Sequence, residues 1–223
     1  FRSTNHLRTV GTELLLTASR KAGIGRYIGQ SFAGWFVQPG SAAPADEHAG
    51  FLDPPPRSAT ETTRALRHLE ASVLGAEGIA GCVLRFGPLY GPGTSMGPDG
   101  SVVRDVRGGR IPIVGGGAGT WSFTHVEDAG RSVLHAVEDQ DASGVFHVVD
   151  NDPAPVSVWL PELAAILGAP PPKSLPAWLA RPAVGGFGVH VTTARGADNR
   201  ALERRGFTPS VPSWREGFRQ TLG

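Results

Sequence analysis

Two hydrophobic periods alternate along this chain of 223 residues. Apolar side chains recur at Leu7, Val10, Leu14, Leu15 and Ala18, the three-and-four spacing of an amphipathic helix. Ser3 or Thr4 stands where a cap belongs, Gly23 where the helix should end, and Arg26 to Ser31 then reads as a buried strand. Ala33 to Pro56, rich in Gly, Pro and Ala, predicts a long loop, a length that is usually functional or disordered. A second helix is expected over Ala59 to Gly75 with Leu66, Leu69, Val73 and Leu74 inward, leading into a strand around Cys82. Further helices are expected over Pro98 to Gly108, Val126 to Val137, Ser157 to Leu167, around Trp178, over Ala197 to Arg205 and over Ser213 to Leu222. In the Val126 helix, Val126, Ala129, Val133 and Val137 should face inward. Gly144 to Val149 (GVFHVV) reads as a strand.

The stretch from Val83 to Arg131 carries the most chemistry. Cys82-Val-Leu-Arg85 reads as a short apolar strand, and Phe86-Gly-Pro-Leu-Tyr-Gly-Pro-Gly93 as a breaker-rich loop leaving its end. Ile111 to Val114 and Trp121 to Thr124 are further short runs, and His125-Val-Glu-Asp128 opens a helix. In open α/β sheets ligands sit outside the carboxyl ends of the strands, so a loop there followed by a returning strand would wall a pocket. Gly115-Gly-Gly-Ala-Gly-Thr120 fails G-x-G-x-x-G at its last position and lies between short strands, and Gly185-Gly-Phe-Gly188 fails as well.

Composition narrows the function classes. Twenty-one basic against 20 acidic side chains give a net charge of +1 without basic runs, which argues against a nucleic-acid partner. The single cysteine, Cys82, excludes an intrachain disulfide and a multi-cysteine metal site; no metal is expected. No apolar stretch reaches the roughly 18 residues of a membrane span, and Phe1 to Lys21 is amphipathic rather than signal-like. A cytoplasmic protein is expected, with neither membrane nor nucleic acid as partner.

The order LRFGPLYGP, then FTHVED, resembles the extended short-chain dehydrogenase/reductases, the NAD-dependent epimerase/dehydratase family. The resemblance implies an α/β fold: an incomplete Rossmann-like, doubly wound parallel sheet with a smaller, mostly helical substrate lobe. It implies interleaved domains, residues 1–87 and about 126–150 for the cofactor and 88–125 with 151–223 for the substrate. That family opens on a strand, a glycine-rich turn and a helix that hold the dinucleotide. Here the first segment already resembles the fourth helix of the cofactor domain, so the chain is expected to be truncated. NAD or NADP is then the cofactor of a full-length form, bound poorly by the chain as given.

The resemblance also assigns residues. Asn5, Arg8, Gln30, Ser31, Phe86, Gly87 and Pro88 fall where the family faces its cofactor, and Leu89, Tyr90, Met96 and Trp121 where it faces substrate. Ser31 and His125 are the candidate catalytic side chains, His125 because an unperturbed imidazole suits a general base. Each has a plainer alternative: a strand-end hydrogen bond for Ser31, a structural histidine for His125, a capping residue for Asn5, a paired structural cation for Arg85.

The family's chemistry is a relay in which a tyrosinate, tuned by a lysine four residues on, moves a proton while hydride passes to or from the cofactor. Counting back from Glu70 and Arg85, Thr62 stands at the tyrosine position and Leu66 at the lysine position. The relay's serine falls on Ser31 or is replaced by Phe32, and alignment on Phe36 favours replacement. Trp121-Ser122 stands where nucleotide-sugar enzymes resemble one another in an Arg-Asp pair that clamps a diphosphate, which puts a nucleotide sugar in doubt. The implied function is an NAD(P)-dependent oxidoreductase, epimerase or dehydratase acting on a small hydroxylated or carbonyl substrate. The alternatives are a non-catalytic NAD(P)-binding sensor or partner-binding protein, or an inactive fragment; a homodimer is compatible with any of them.

Overall fold

The computed structural model describes residues 2–34, 44–179 and 194–223. Phe36, the Gly185–Gly188 run and the middle of the expected loop over 33–56 lie outside the described residues.

Three parallel strands form the central sheet in the order β1 (Arg26–Phe32), β2 (Ala80–Phe86), β7 (Gly144–Val148). Parallel neighbours need crossover connections. Helix α3 (Thr60–Leu74) makes the first, and helix α5 (Val126–Glu138) runs directly into β7. The alternation of β2 sorts the two layers. Val83 packs with Leu69 and Val73 of α3, whereas Cys82, Leu84 and Phe86 pack with Ala136 of α5 and with Phe146 and Val148. Gly81 permits the close approach of α3, since a Cβ there would lie 2.1 Å from the Val73 carbonyl oxygen.

The second layer of the molecule is an aromatic lobe. Its ladders are short: β3 (Leu89–Tyr90) runs parallel to β6 (Thr124–His125), β4 (Ile113–Val114) parallel to β9 (Ser174–Leu175), and β5 (Thr120–Trp121) antiparallel to β8 (Ala154–Pro155). Helix α4 (Ser101–Arg107), helix α6 (Val156–Ile166) and the C-terminal helix Trp214–Leu222 enclose Tyr90, Phe123, Trp159, Leu160, Leu163, Trp214 and Phe218. A short helix, Arg200–Glu203, adds Leu202 to the sheet core.

Two expectations are corrected. The first helix is interrupted: α1 (Arg2–His6) passes through a π-helical turn, Leu7–Gly11, into α2 (Thr12–Lys21). Its inward residues are Thr12 and Leu16, while Leu7, Val10, Leu14 and Leu15 are exposed. The side that packs, Asn5, Arg8, Thr9, Thr12 and Leu16, runs unbroken through the π turn, and the apolar stripe is left on the other side. In α5 the buried residues are Asp128, Ser132 and Ala136, while Val133 and Val137 are exposed, because only one narrow side of the helix meets the sheet. The glycine run forms a tight turn between β4 and β5, with Gly115, Gly116 and Gly117 all at positive φ. Such a turn presents no long helix N-terminus to a phosphate.

Candidate functional site

A cavity of about 530 Å³ opens at the carboxyl end of β1 and β2. Gln30 and Phe32 of β1, Gly87, Pro88 and Leu89 after β2, and Thr94, Ser95 and Met96 of the following loop form one side; Val102, Ile111, Trp121 and Trp159 form the other. Its volume lies in the ordinary range for small-molecule sites, and its walls are apolar and aromatic. Among the described residues no charged side chain borders it.

The two-residue period of β1 decides which side chains reach this space. Gln30 and Phe32 face the cavity; Ser31 is fully buried and donates its hydroxyl to Glu70 Oε1 at 2.5 Å. Glu70 also accepts both arms of Arg85, Nε to Oε1 at 2.8 Å and Nη2 to Oε2 at 2.7 Å, with both side chains more than nine-tenths buried. Arg85 is thus the paired structural cation, lying also over the Phe51 ring at 5.0 Å. The catalytic expectation for Ser31 does not hold, because its hydroxyl is spent in this network. Phe32 occupies the cavity wall instead.

The positions that the resemblance gives to the relay hold other side chains. Thr62 accepts a hydrogen bond from Asn5 Nδ2 at 3.3 Å, and Asn5 Oδ1 accepts from Arg8 Nη1 at 3.3 Å. Asn5 and Thr62 border a second, more polar cleft of about 670 Å³ together with Arg2, His6, Ser58 and Arg64; Arg8 borders neither space. Leu66 is fully buried beside Ala59, Phe32 and Phe51, where a lysine ammonium would be stranded.

Gly87 is held by its N–H donating to Thr124 Oγ1 at 3.0 Å. A Cβ at Gly87 would fall 2.0 Å from the Ser122 carbonyl oxygen, so the loop from β2 can lie against β6 only with glycine there. Phe86, expected at the cofactor, is instead buried in the sheet core. The four residues expected to share one concavity divide. Met96 and Trp121 line it, but Tyr90 and His125 do not. Tyr90 is fully buried, edge-on to Phe123, His125 and Phe218, and burial followed by the nearby Asp150 and Asp128 drives its phenol far above the ordinary tyrosine range. It faces the lobe core because Leu89 and Tyr90 alternate on a strand, and Leu89 takes the cavity side. His125 is buried behind it at a ring-centroid distance of 5.0 Å, which removes the general-base role expected of it.

Asp128 does more than face a helix dipole. Burial pushes its pKa up, but hydrogen bonds from Ser210 N at 2.8 Å, the Ser210 hydroxyl at 2.7 Å, Val211 N at 3.0 Å and Arg131 outweigh this and hold it below the usual carboxylate range. Ser122 is likewise structural, exchanging hydrogen bonds with the Ala197 backbone at 2.7 and 2.9 Å. Trp159 was not legible as a site residue: it sits far from Trp121 in sequence and reads only as one apolar position of a helix. Packing brings the two rings to 4.7 Å at 39°. Among the described residues no group of three His, Cys, Asp or Glu is arranged to hold a metal, and no helix is long and apolar enough to cross a membrane.

For a dinucleotide, the described residues fit one end. The flat apolar walls of Phe32, Pro88 and Leu89, with the Gln30 amide, suit a nicotinamide ring, whereas none of the described residues forms a glycine-rich strand-to-helix turn for the pyrophosphate.

Comparison with known proteins identifies the family. Residues 3–149 match the model of the NAD dependent epimerase/dehydratase family. A Streptomyces protein named 3-diazoavenalumate denitrifying reductase is 46% identical over 221 residues, covering 98% of this chain and 72% of that protein. Human epimerase family protein SDR39U1 with NADPH superposes with a TM-score of 0.79 at 21% identity, over 96% of this chain and 71% of that one. UDP-glucose 4-epimerase from Thermotoga maritima, with UDP-glucose, gives 0.75 at 23% identity, over 97% and 68%. At such identities these two structures speak for the Rossmann-like fold alone. The chain belongs to the NAD-dependent epimerase/dehydratase family, and its function is of the NAD(P)-dependent oxidoreductase type.

Proposed function

We infer that the chain is a reductase that uses NAD(P)H to replace the diazo group of a small aromatic compound by hydrogen. The observation that carries this reading is an aromatic-lined cavity at the strand ends with no titratable side chain among its described lining residues, while the family resemblance puts Phe32, Thr62 and Leu66 at the relay's three positions. A carbonyl or alcohol substrate needs a proton moved at its oxygen, and among the described residues no titratable side chain lines the cavity to move it. A diazo group needs no such proton, since dinitrogen is itself the leaving group. The 46%-identical relative is named for that class of reaction.

When bound, the nicotinamide supplies the hydride. The protein's part is to hold a flat ring against Trp121, Trp159 and Met96, present it past Gly87 to Leu89, and limit water at the reacting face. Gln30 provides the side-chain amide of the β1 wall, suited to orienting a polar substituent or the carboxamide of the cofactor. A cytoplasmic homodimer with interleaved cofactor and substrate domains fits this reading, as does a small-molecule substrate.

The test is to mix the protein with saturating NADPH and 4-carboxybenzenediazonium, following loss of nicotinamide absorbance and release of dinitrogen. Stoichiometric benzoate and dinitrogen are expected, with no oxidation of NADPH when 4-carboxybenzaldehyde is offered instead. Reduction of the aldehyde but not of the diazonium salt would overturn the reading.

A further inference from the structure

Among the described residues, the cavity at the strand ends carries no counter-charge. Its described lining is Phe32, Trp121, Trp159, Met96 and aliphatic or small polar groups, without one Asp, Glu, Lys, Arg or His. In the family's usual relay, a lysine and a tyrosinate make the substrate reactive from outside; here Leu66 and Thr62 cannot. The reacting group must therefore bring its own activation. We propose that the cavity is an aromatic cage for a cationic arene head group, with the exposed part of the Trp121 ring as its main recognition surface and Trp159 as its support. This rests on the reading of the protein as a diazo reductase.

Three features lead there. Trp121 is half-buried in the cavity wall, and its ring is backed by Trp159 at 4.7 Å and Phe123 at 5.8 Å, so its orientation is set by packing. The negative π face of an indole attracts a cation within about 6 Å, more strongly than a phenyl ring does. Among the described lining residues no ammonium or guanidinium opposes that attraction and no carboxylate supplements it, so the ring face is what separates a cation from a neutral arene. The overall step balances as Ar–N₂⁺ plus NAD(P)H giving Ar–H, N₂ and NAD(P)⁺. Hydride adds to the terminal nitrogen to give Ar–N=N–H; the N–H proton leaves to water, the C–N bond breaks to release N₂, and the aryl carbon takes a proton from water. No acid or base on the protein enters.

The charge preference is testable without turnover, by using a stable pair of equal shape. Phenyltrimethylammonium and tert-butylbenzene differ in one atom and one charge. Titration of the 223-residue protein by calorimetry, with the probe alone, should give at least fivefold tighter binding for the cation. Trp121→Leu should lose about tenfold for the cation and less than twofold for the hydrocarbon, and Trp121→Phe should fall between, the rank order of a cation–π contact. Because Trp121→Leu can loosen the lobe, Trp121→Phe with an unchanged melting temperature serves as the second variant. Equal or tighter binding of tert-butylbenzene, or equal losses for both probes, would overturn the cage. Dinitrogen release from the diazonium salt is measured separately, so a failed cage with intact turnover leaves the function standing, and a working cage without turnover removes the diazo reading only.

Discussion

On the sheet side of the cavity, Gln30 and Phe32 stand on a strand anchored by buried charge: Ser31, Glu70 and Arg85 form a closed hydrogen-bonded set one residue away. On the lobe side, Trp121 and Trp159 stand on rings packed against rings, with Phe123, Trp214 and Phe218 behind them. The first wall is positioned by directional bonds whose partners must all be present. The second is positioned by shape and apolar burial, which tolerate substitution of like volume. The same cavity thus has one wall sensitive to the loss of a single atom and another sensitive mainly to volume.

Removing one member of the buried set should give the largest effect. Glu70→Ala leaves the Arg85 guanidinium buried without its carboxylate and should cost about 3–5 kcal/mol in chemical denaturation. A loss under about 1 kcal/mol would mean that the sheet wall is held by packing after all. Leu66→Lys comes next. It places an ammonium in a fully buried apolar site and should cost roughly 3 kcal/mol, whereas Thr62→Tyr, bordering the open cleft, should be tolerated. If both changes together raise proton-relay activity toward a carbonyl substrate without loss of stability, the account of position 66 is wrong.

A pH series separates the walls further. His147 of β7 is fully buried, its Nδ1 lies 3.1 Å from the Asp198 carbonyl oxygen, and burial, with Arg85 adding, pushes it down to about 4. The unfolded imidazole titrates near 6.5, so between those values the unfolded chain binds the extra proton and stability rises with pH. The full contribution is present above about pH 6.5 and is lost toward pH 4, amounting to on the order of 3 kcal/mol. Melting of His147→Gln across that window should be flatter than that of the parent; an unchanged slope would assign the acid sensitivity elsewhere. The smallest expected effect is on the lobe side. Gly217 faces Tyr90 so closely that a Cβ would meet its hydroxyl at 2.0 Å. Gly217→Ala should cost about 1–3 kcal/mol by overpacking. Tyr90→Phe in the same chain should recover part of it, a coupling read from a double-mutant cycle.

Much of the molecule was legible in one dimension. The apolar run of Cys82 to Arg85 and the period of Thr60 to Leu74 give a strand and a helix that pack as read except at Leu74, which is exposed at the helix end, because buried elements must show their period. Ends and breakers such as Gly23 and Gly168 were legible because a residue at positive φ after a helix favours glycine. The order of motifs around Tyr90 and His125 identified the family correctly, yet the same two residues proved to be core. Their motif positions record where the chain turns, and a turn of one residue on a strand moves a side chain from the cavity to the interior.

What the chain alone determined was therefore chemical and local: which groups exist, which relay residues are replaced, and where strands and helices begin. Tertiary structure decided which groups meet. It turned Ser31 toward Glu70 and Phe32 toward the cavity, joined Trp159 to Trp121, and left Leu7 and Leu14 exposed while Thr12 and Leu16 pack inward. Periodicity records only the direction of a side chain about its own element. Contact between elements depends on distances that packing alone sets, and those distances separate a catalytic hydroxyl from a buried one.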